Sequence, residues 1–257
     1  MHGTLQLESL LAAVAFVGVR VGSLMLIAPF FSSTLMPVRI RLGLAVLLTV
    51  AIFPLTAPLQ TPLDMAGWTK LVLSESLVGL LLGMTTQVLF EAAQFAGQVI
   101  AIQLGLSLVN VLDPQSSIDT PVVSLFHQMI FLLLFFVMDV PEWLLRGLAH
   151  SFTYLPPGSA SLTLAATGGL LRAAGGIWLV GVQIAAPVIV VTMITDVTLG
   201  LMGKISTQLP VLWIGISVKN VLGTLVLMGS LAAWPGFLER HFAAAIRQSE
   251  DLLHLAH

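Results

Sequence analysis

Hydrophobic residues run through this chain in blocks as long as a bilayer-crossing helix, and polar positions fall between those blocks or at regular steps inside them. Windows free of charge cover residues 21–38, 42–63, 92–112, 120–138, 147–171, 173–195 and 220–238, and several approach the roughly 20 residues that a spanning helix needs. The pattern predicts an all-α protein with six to eight hydrophobic helices. The first is expected over 6–27, with Arg20 between Gly18 and Gly22 and Pro29 ending or bending it. Pro37 opens a second, which carries Arg39 and Arg41 in its first turn and stays apolar to Phe53. Three prolines in 54–62 read as a loop. From Trp68 a helical pattern continues through Glu75, Gly79, Gly83, Glu91 and Gly97 to about Leu108, longer than one crossing requires, so it must bend, tilt or leave the membrane.

Within that long helix Ala93, Gly97, Ala101 and Gly105 recur every four positions, a stripe on which another backbone can come close. Gln94 and Gln98 follow one position later, and an amide in such a segment needs a partner or a water-lined surface. The pattern then breaks at Ser107, Asn110, Asp113-Pro114-Gln115-Ser116-Ser117 and Asp119. Irregular polar backbone of this kind is covered by protein or lines a cavity when it lies at membrane depth, which makes a pore or closed assembly the first expectation. Downstream, a helix is expected over 121–137, a connector at Asp139-Val140-Pro141-Glu142, a short helix to about Ser151 and a turn at Pro156-Pro157-Gly158. A second long apolar stretch covers 161–204, interrupted by Gly175-Gly176 and Pro187. Pro210 and Gly215 reset the pattern before a helix over 218–231, and the tail after Pro235 has soluble-helix character. No linker or clear repeat divides the chain.

Composition sharpens the membrane reading. Hydrophobic residues make up 57% of the chain and charged residues 9%, with a mean hydropathy of +1.02, far from the usage of soluble domains. The net charge of −2 offers no basic face for nucleic acid. Without cysteine there are no disulfides or thiolate metal sites. The start carries Glu8 and no basic residue before its apolar run, unlike a cleavable signal peptide, and is expected to stay on the mature protein. Arg39 and Arg41 form the one tight basic pair, so the positive-inside signal is weak.

Ionisable residues inside apolar segments mark function by default. Arg20, Glu75, Glu91, Asp196, Lys204 and Lys219 qualify, and Asp196 stands out because it follows the uncharged window 173–195. A transporter would use it as a proton or cation site; a structural role would pair it with Lys204, Lys219 or a neighbouring subunit. The structural role is favoured because no second carboxylate lies nearby to build a relay. The histidines at 2, 127, 150, 241, 254 and 257 have no metal-binding spacing. Gly158-Ser159-Ala160-Ser161 follows two prolines and reads as loop chemistry, not as a serine nucleophile. Gly18/Gly22 and Gly79/Gly83 match a close-packing pattern without identifying a partner. The residues specify no catalysis and no cofactor.

In order and spacing these segments resemble the FliR family of bacterial flagellar export-gate proteins and its type III secretion counterparts. Arg20, Ala28-Pro29 and Pro37-Val38-Arg39-Ile40-Arg41-Leu42-Gly43 are similar to the family's N-terminal pattern. Glu75, Gly79, Gly83, Ala96-Gly97-Gln98, Gln103-Leu104-Gly105 and Asp113-Pro114 resemble its central one. Ser151-Phe152, Pro156, Gly158, Pro187, Asp196, Gly200, Ile214-Gly215 and Lys219 continue it, and Ser151-Phe152 looks more flagellar than injectisome-like. The chain departs from the pattern where Thr207 and Ser217 stand in place of common prolines.

The resemblance implies a non-enzymatic subunit, one copy beside several FliP-like and FliQ-like subunits. Together with FlhB-like and FlhA-like components they form the gate through which unfolded flagellar substrates leave. It implies a single domain with a FliP-like part over roughly 1–155 and a FliQ-like part over 156–257. It also implies a location in the inner membrane and basal body, in contact with lipid, with much of the helical mass above the membrane plane. Gly105, Ser107, Asn110, Asp113, Pro114, Gln115, Ser116, Ser117 and Asp119 would then form a luminal plug. Arg20, Arg39, Arg41, Glu75, Ala93, Gly97, Gln98, Ala101, Asp196, Lys204 and Lys219 would serve packing and assembly. A small-molecule permease or channel subunit is the alternative, which internal pseudo-symmetry would mark. A lipid-modifying enzyme, third, would need a clustered acid, base or metal site.

Overall fold

A computed structural model describes residues 2–32, 36–56, 64–106, 122–160, 164–205 and 211–255, and among them it is helical with no strand. The helices are α1 (His2–Ile27), α2 (Pro29–Ser32), α3 (Val38–Ile52), α4 (Met65–Gln103), α5 (Val122–Val137), α6 (Val140–Tyr154), α7 (Leu164–Ile205), α8 (Val211–Ser230) and α9 (Trp234–Leu255). Short 3₁₀ turns at Phe53–Leu55 and Leu231–Ala233 follow α3 and α8. Among the described residues four stretches are long and apolar enough to cross a bilayer: Leu10–Ile27, Met65–Gln103, Ala174–Ile205 and Ile214–Ala245, with α5 and α6 together a bent fifth.

Two differences from the sequence pattern have physical causes. The helix α7 runs for 42 residues through Gly175, Gly176 and Pro187 without a break. Pro187 lacks an N–H and so leaves the carbonyl of Gln183 without its helical partner, one bond lost from a helix of 42 residues. The helix α8 starts at Val211, so Gly215 lies inside it, where a Cβ would stand 3.1 Å from Leu199. Gly215 is a packing residue, not a break.

The chain divides into two compact units. The first comprises Met1–Val88, Phe135–Ala174 and Phe242–His257. Its core is built from one face of α1, where Phe16, Val17, Val21 and Leu24 are fully buried at helical spacing. Val78, Leu81 and Leu82 of α4 and Leu144 and Leu148 of α6 are buried in the same unit. Gly79 and Gly83 let α4 lie directly on α1: a Cβ on Gly79 would overlap the Arg20 carbonyl and Ser23 Oγ, and one on Gly83 would come within 3.1 Å of Ile27 Cβ and the Leu24 carbonyl. Gly18 faces Thr49 of α3 at ordinary contact distance, while a Cβ on Gly22 would meet nothing within 4 Å. One of the two glycine pairs is therefore a packing surface throughout, and the other is not. Between α5 and α6 the chain turns at Asp139, which takes a left-handed backbone (φ 54°).

The second unit comprises Leu89–Leu134 and Gly175–His241. Glycines again set its close approaches. A Cβ on Gly97 of α4 would stand 2.5 Å from Ser124 Cα of α5, and one on Gly181 of α7 would stand 3.0 Å from the Ala92 carbonyl. Gly223 of α8 leaves room for Leu104. Ser124 donates a hydrogen bond to the Gln94 carbonyl (3.3 Å). Trp234 packs edge-on to Phe131, whose ring also meets Phe90.

Candidate functional site

The first unit is fastened by a polar cluster inside an apolar core. Arg20 lies on the buried face of α1, and its side chain and that of Glu75 on α4 are both fully buried. The guanidinium divides its donors among several elements: Nε to Glu75 Oε2 (2.6 Å), Nη1 to Ser151 Oγ of α6 (2.9 Å) and Nη2 to the Leu155 carbonyl (3.2 Å). Its Cζ lies 4.1 Å from the ring centroid of Phe152, a cation–π contact that takes up the face of the planar group. Ser151 Oγ in turn donates a hydrogen bond to the Leu148 carbonyl (2.7 Å).

The second oxygen of Glu75 accepts the backbone N–H of Gly158 (3.0 Å), and local sequence explains why that group is available. Leu155 caps α6, Pro156 and Pro157 cannot continue the helix, and Ser159 N–H bonds back to the Pro156 carbonyl (3.1 Å). Gly158 sits at φ 77°. Proline then glycine at the two central positions, with positive φ at the second, is the pattern of a type II turn. The turn aims the Gly158 amide at Glu75. Ser159 Oγ donates to the Pro156 carbonyl (2.6 Å), which leaves this serine a turn residue. Two charges buried together cost desolvation, and only complete pairing offsets it. Here α1, α4, α6 and one turn supply the pairing.

The second unit holds a different ion pair. Lys219 Nζ of α8 reaches both oxygens of Asp196 on α7, at 2.9 Å and 3.2 Å. The Lys219 side chain is 19% exposed and that of Asp196 51%. Of the two lysines weighed from sequence, Lys219 is the partner, and Lys204 is exposed near the end of α7. Around the pair, α7 and α8 present large apolar side chains outward, among them Val190, Met193, Ile194, Val197, Val221 and Leu225.

The small-residue stripe of α4 also has a defined end. Ala93, Gly97 and Ala101 are buried and Gln98 is exposed. Gly105, at φ 77°, donates to the Ile102 carbonyl (3.0 Å), and Leu106 N–H reaches the Ala101 carbonyl (2.9 Å). This is the paired hydrogen-bond arrangement of a Schellman cap. It satisfies two carbonyls that the helix end would otherwise leave open. Ser107, Asn110 and the run from Asp113 to Asp119 lie outside the described residues. Arg39 is exposed and Arg41 half-buried at the start of α3. Among the described residues no group of three or more His, Cys, Asp or Glu side chains is placed to hold a metal. His127 is fully buried, with Nδ1 bonded to the Val123 carbonyl (2.8 Å) and its ring 4.9 Å from that of Trp234.

The structure thus brings Arg20 to Glu75 and Asp196 to Lys219. Ser151, Phe152, Leu155 and Gly158 join the first pair without having been read as its partners. Ser151, Phe152 and Gly158 carried a sequence signal as part of the family pattern, but the Leu155 carbonyl is a backbone group that any residue could offer, and the Gly158 amide is a backbone group placed by a turn that favours glycine there.

Comparison with known proteins agrees over nearly the whole chain. Residues 11–245 match the family described as bacterial export proteins, family 1. A flagellar biosynthetic protein FliR from Escherichia coli (strain K12) is 31% identical over 234 residues, covering 91% of this chain and 90% of that protein. One from Pectobacterium carotovorum subsp. carotovorum is 29% identical over 235 residues, with coverage of 91% and 90%. One from Bacillus subtilis (strain 168) is 26% identical over 252 residues, covering 96% of each. The chain belongs to the FliR family of bacterial export proteins.

Proposed function

We propose that this chain is a core, non-enzymatic subunit of the flagellar protein export gate in the bacterial inner membrane. It works there as one copy among FliP-like and FliQ-like subunits, with FlhB-like and FlhA-like components nearby. The family carries the export role. The observation that supports an assembled state is the outward apolar face of α7 and α8, where only 33% of an 18-residue apolar stretch within Ala174–Ile205, and 22% of one within Ile214–Ala245, is buried. A contiguous apolar surface of that size needs lipid or a partner, and the half-exposed Asp196 carboxylate in its midst suits a protein partner that can supply a donor. In this reading the FliP-like part spans roughly 1–155 and the FliQ-like part 156–257, with much of the helical mass on the periplasmic side of the membrane plane.

The segment from Gly105 to Asp119 acts in this proposal as a luminal plug. Gly105 supports it by ending the small-residue helix at a defined point. A gate must open under load, so closed and open states should differ by a few kcal/mol. Co-expression with candidate FliP-like and FliQ-like subunits tests the assembly: the chain should co-purify with them, and a stable, monodisperse monomer that fails to join them would overturn the proposal. Shortening the plug should raise ion conductance of the assembled complex without preventing assembly; a complex that leaks no more than the parent would mean the segment is not the seal.

A further inference from the structure

One exposed helix differs in character from α7 and α8. The helix α3 buries only Thr49 and Ile52, and Leu42, Val46, Leu47 and Val50 are each 61–64% exposed. Arg39 lies on the same side as Leu42, Val46 and Val50, at spacings of three, seven and eleven residues. The exposed aliphatic arc is broad, wider than the seam one packed helix would cover. It carries no amide, hydroxyl or aromatic group: the hydroxyl of α3, on Thr49, is turned in and bonds to the Ala45 carbonyl (2.7 Å). Its one glycine, Gly43, would meet nothing within 4 Å if it had a Cβ. Where this chain packs helix on helix it uses Gly79, Gly83, Gly97 and Gly181 against backbone, and α3 has no such contact on its outer face.

Charge completes the argument. No Asp or Glu occurs between Glu8 and Asp64, whereas Arg20, Arg39 and Arg41 all lie in that interval. Arg20 is taken up by Glu75. Arg39 is exposed at the end of the aliphatic arc, with Arg41 half-buried two positions on. We infer that α3 is a lipid-facing helix whose outer side lies against acyl chains and whose Arg39 binds the phosphate of an anionic phospholipid. The arginine stem lies along the apolar surface while its head reaches the headgroup layer. At about 1.5 Å per residue α3 is too short to cross the roughly 30 Å core, which places Arg39 at one interface and the far end of α3 inside the bilayer.

The chain has no cysteine, so Val46→Cys in the full chain, co-purified with its partner subunits, can carry a single fluorophore. In mixed bilayers the quenchers are phosphatidylglycerol or phosphatidylcholine with nitroxide-bearing acyl chains, and aqueous iodide. The expected result is quenching by both lipids but not iodide, with phosphatidylglycerol preferred on the order of five-fold, the factor one basic side chain near an anionic surface contributes. Arg39→Gln should abolish that preference and Arg39→Lys should keep it. Quenching by neither lipid would mean that protein covers α3, and quenching by iodide that water does; either overturns the inference. Equal quenching by the two lipids in the parent, or an unchanged preference in Arg39→Gln, would overturn the headgroup site.

Discussion

Arg20–Glu75 and Asp196–Lys219 are both Coulombic pairs between separate helices, and their surroundings differ. In the first, both side chains are fully buried and every arm of the guanidinium has a partner within the chain. In the second, Asp196 is 51% exposed on helices whose apolar side chains face outward. The same contrast holds for the helices themselves. Half of Leu10–Ile27 and 56% of an 18-residue apolar stretch within Met65–Gln103 is buried, against 33% and 22% of the corresponding stretches within Ala174–Ile205 and Ile214–Ala245. The chain completes the N-terminal cluster by itself and leaves the α7–α8 face to be completed by something else. A buried pair with all its donors used serves the fold, while a half-exposed pair on an apolar face is available to the interface proposed above.

The largest expected effect breaks the first member of that comparison. Arg20→Met leaves Glu75 charged and buried without its cation, which should destabilise the first unit by about 3–5 kcal/mol. Thermal or denaturant unfolding of the purified complex measures this. Replacing both residues by apolar ones, Arg20→Met with Glu75→Leu, should recover much of the loss; a double variant as unstable as the single would show that the cluster's worth lies in more than charge compensation.

Gly79→Val comes next. Its side chain would overlap the Arg20 carbonyl and Ser23 Oγ, and forcing α4 away from α1 should cost about 1–3 kcal/mol. By contrast Gly22→Ala meets open space and should stabilise α1 by up to about 1 kcal/mol through helix propensity. Equal outcomes for the two glycines would remove the distinction between a packed and an unpacked glycine pair.

Asp196→Asn sharpens the second member. An ion pair this exposed contributes about 0–1 kcal/mol to folding, so unfolding of the chain should barely change while the yield of co-purified partner subunits falls. A fully assembled complex that no longer exports would instead point to proton chemistry at Asp196. A small effect of the opposite sign is expected for Asp139→Gly at the α5–α6 turn, where relief of a left-handed backbone should stabilise by up to about 1 kcal/mol, read as a small rise in melting temperature.

How much of this was legible in sequence follows the range of the interactions involved. Local signals served well: the Pro156-Pro157-Gly158 turn and the Gly79/Gly83 surface are each written within a few residues, whereas the helix expected to reach about Leu108 ends at Gln103 with Gly105 as its cap, a role its place in the small-residue stripe had hidden. The long apolar blocks gave the all-α fold. The choice of Lys219 over Lys204 was open because helix faces depend on where α8 begins, and Gly215 had suggested a later start. The Arg20 cluster was legible as two charges in apolar helices and no further, since Ser151 lies 131 residues away and the Leu155 and Gly158 contributions come from backbone. The continuity of α7 ran against local propensity, because surrounding apolar residues override a single proline and a glycine pair.

The central claim, that partner protein covers the α7–α8 face, is tested most directly by photo-crosslinking in the assembled gate. Benzoylphenylalanine would be placed singly at Val190 and Leu225, which are 55% and 61% exposed, and at Val46 of α3 for contrast. The account predicts covalent adducts with a second subunit from Val190 and Leu225 and none from Val46. Adducts with lipid alone at Val190 and Leu225, in a complex that still contains its partner subunits, would contradict it.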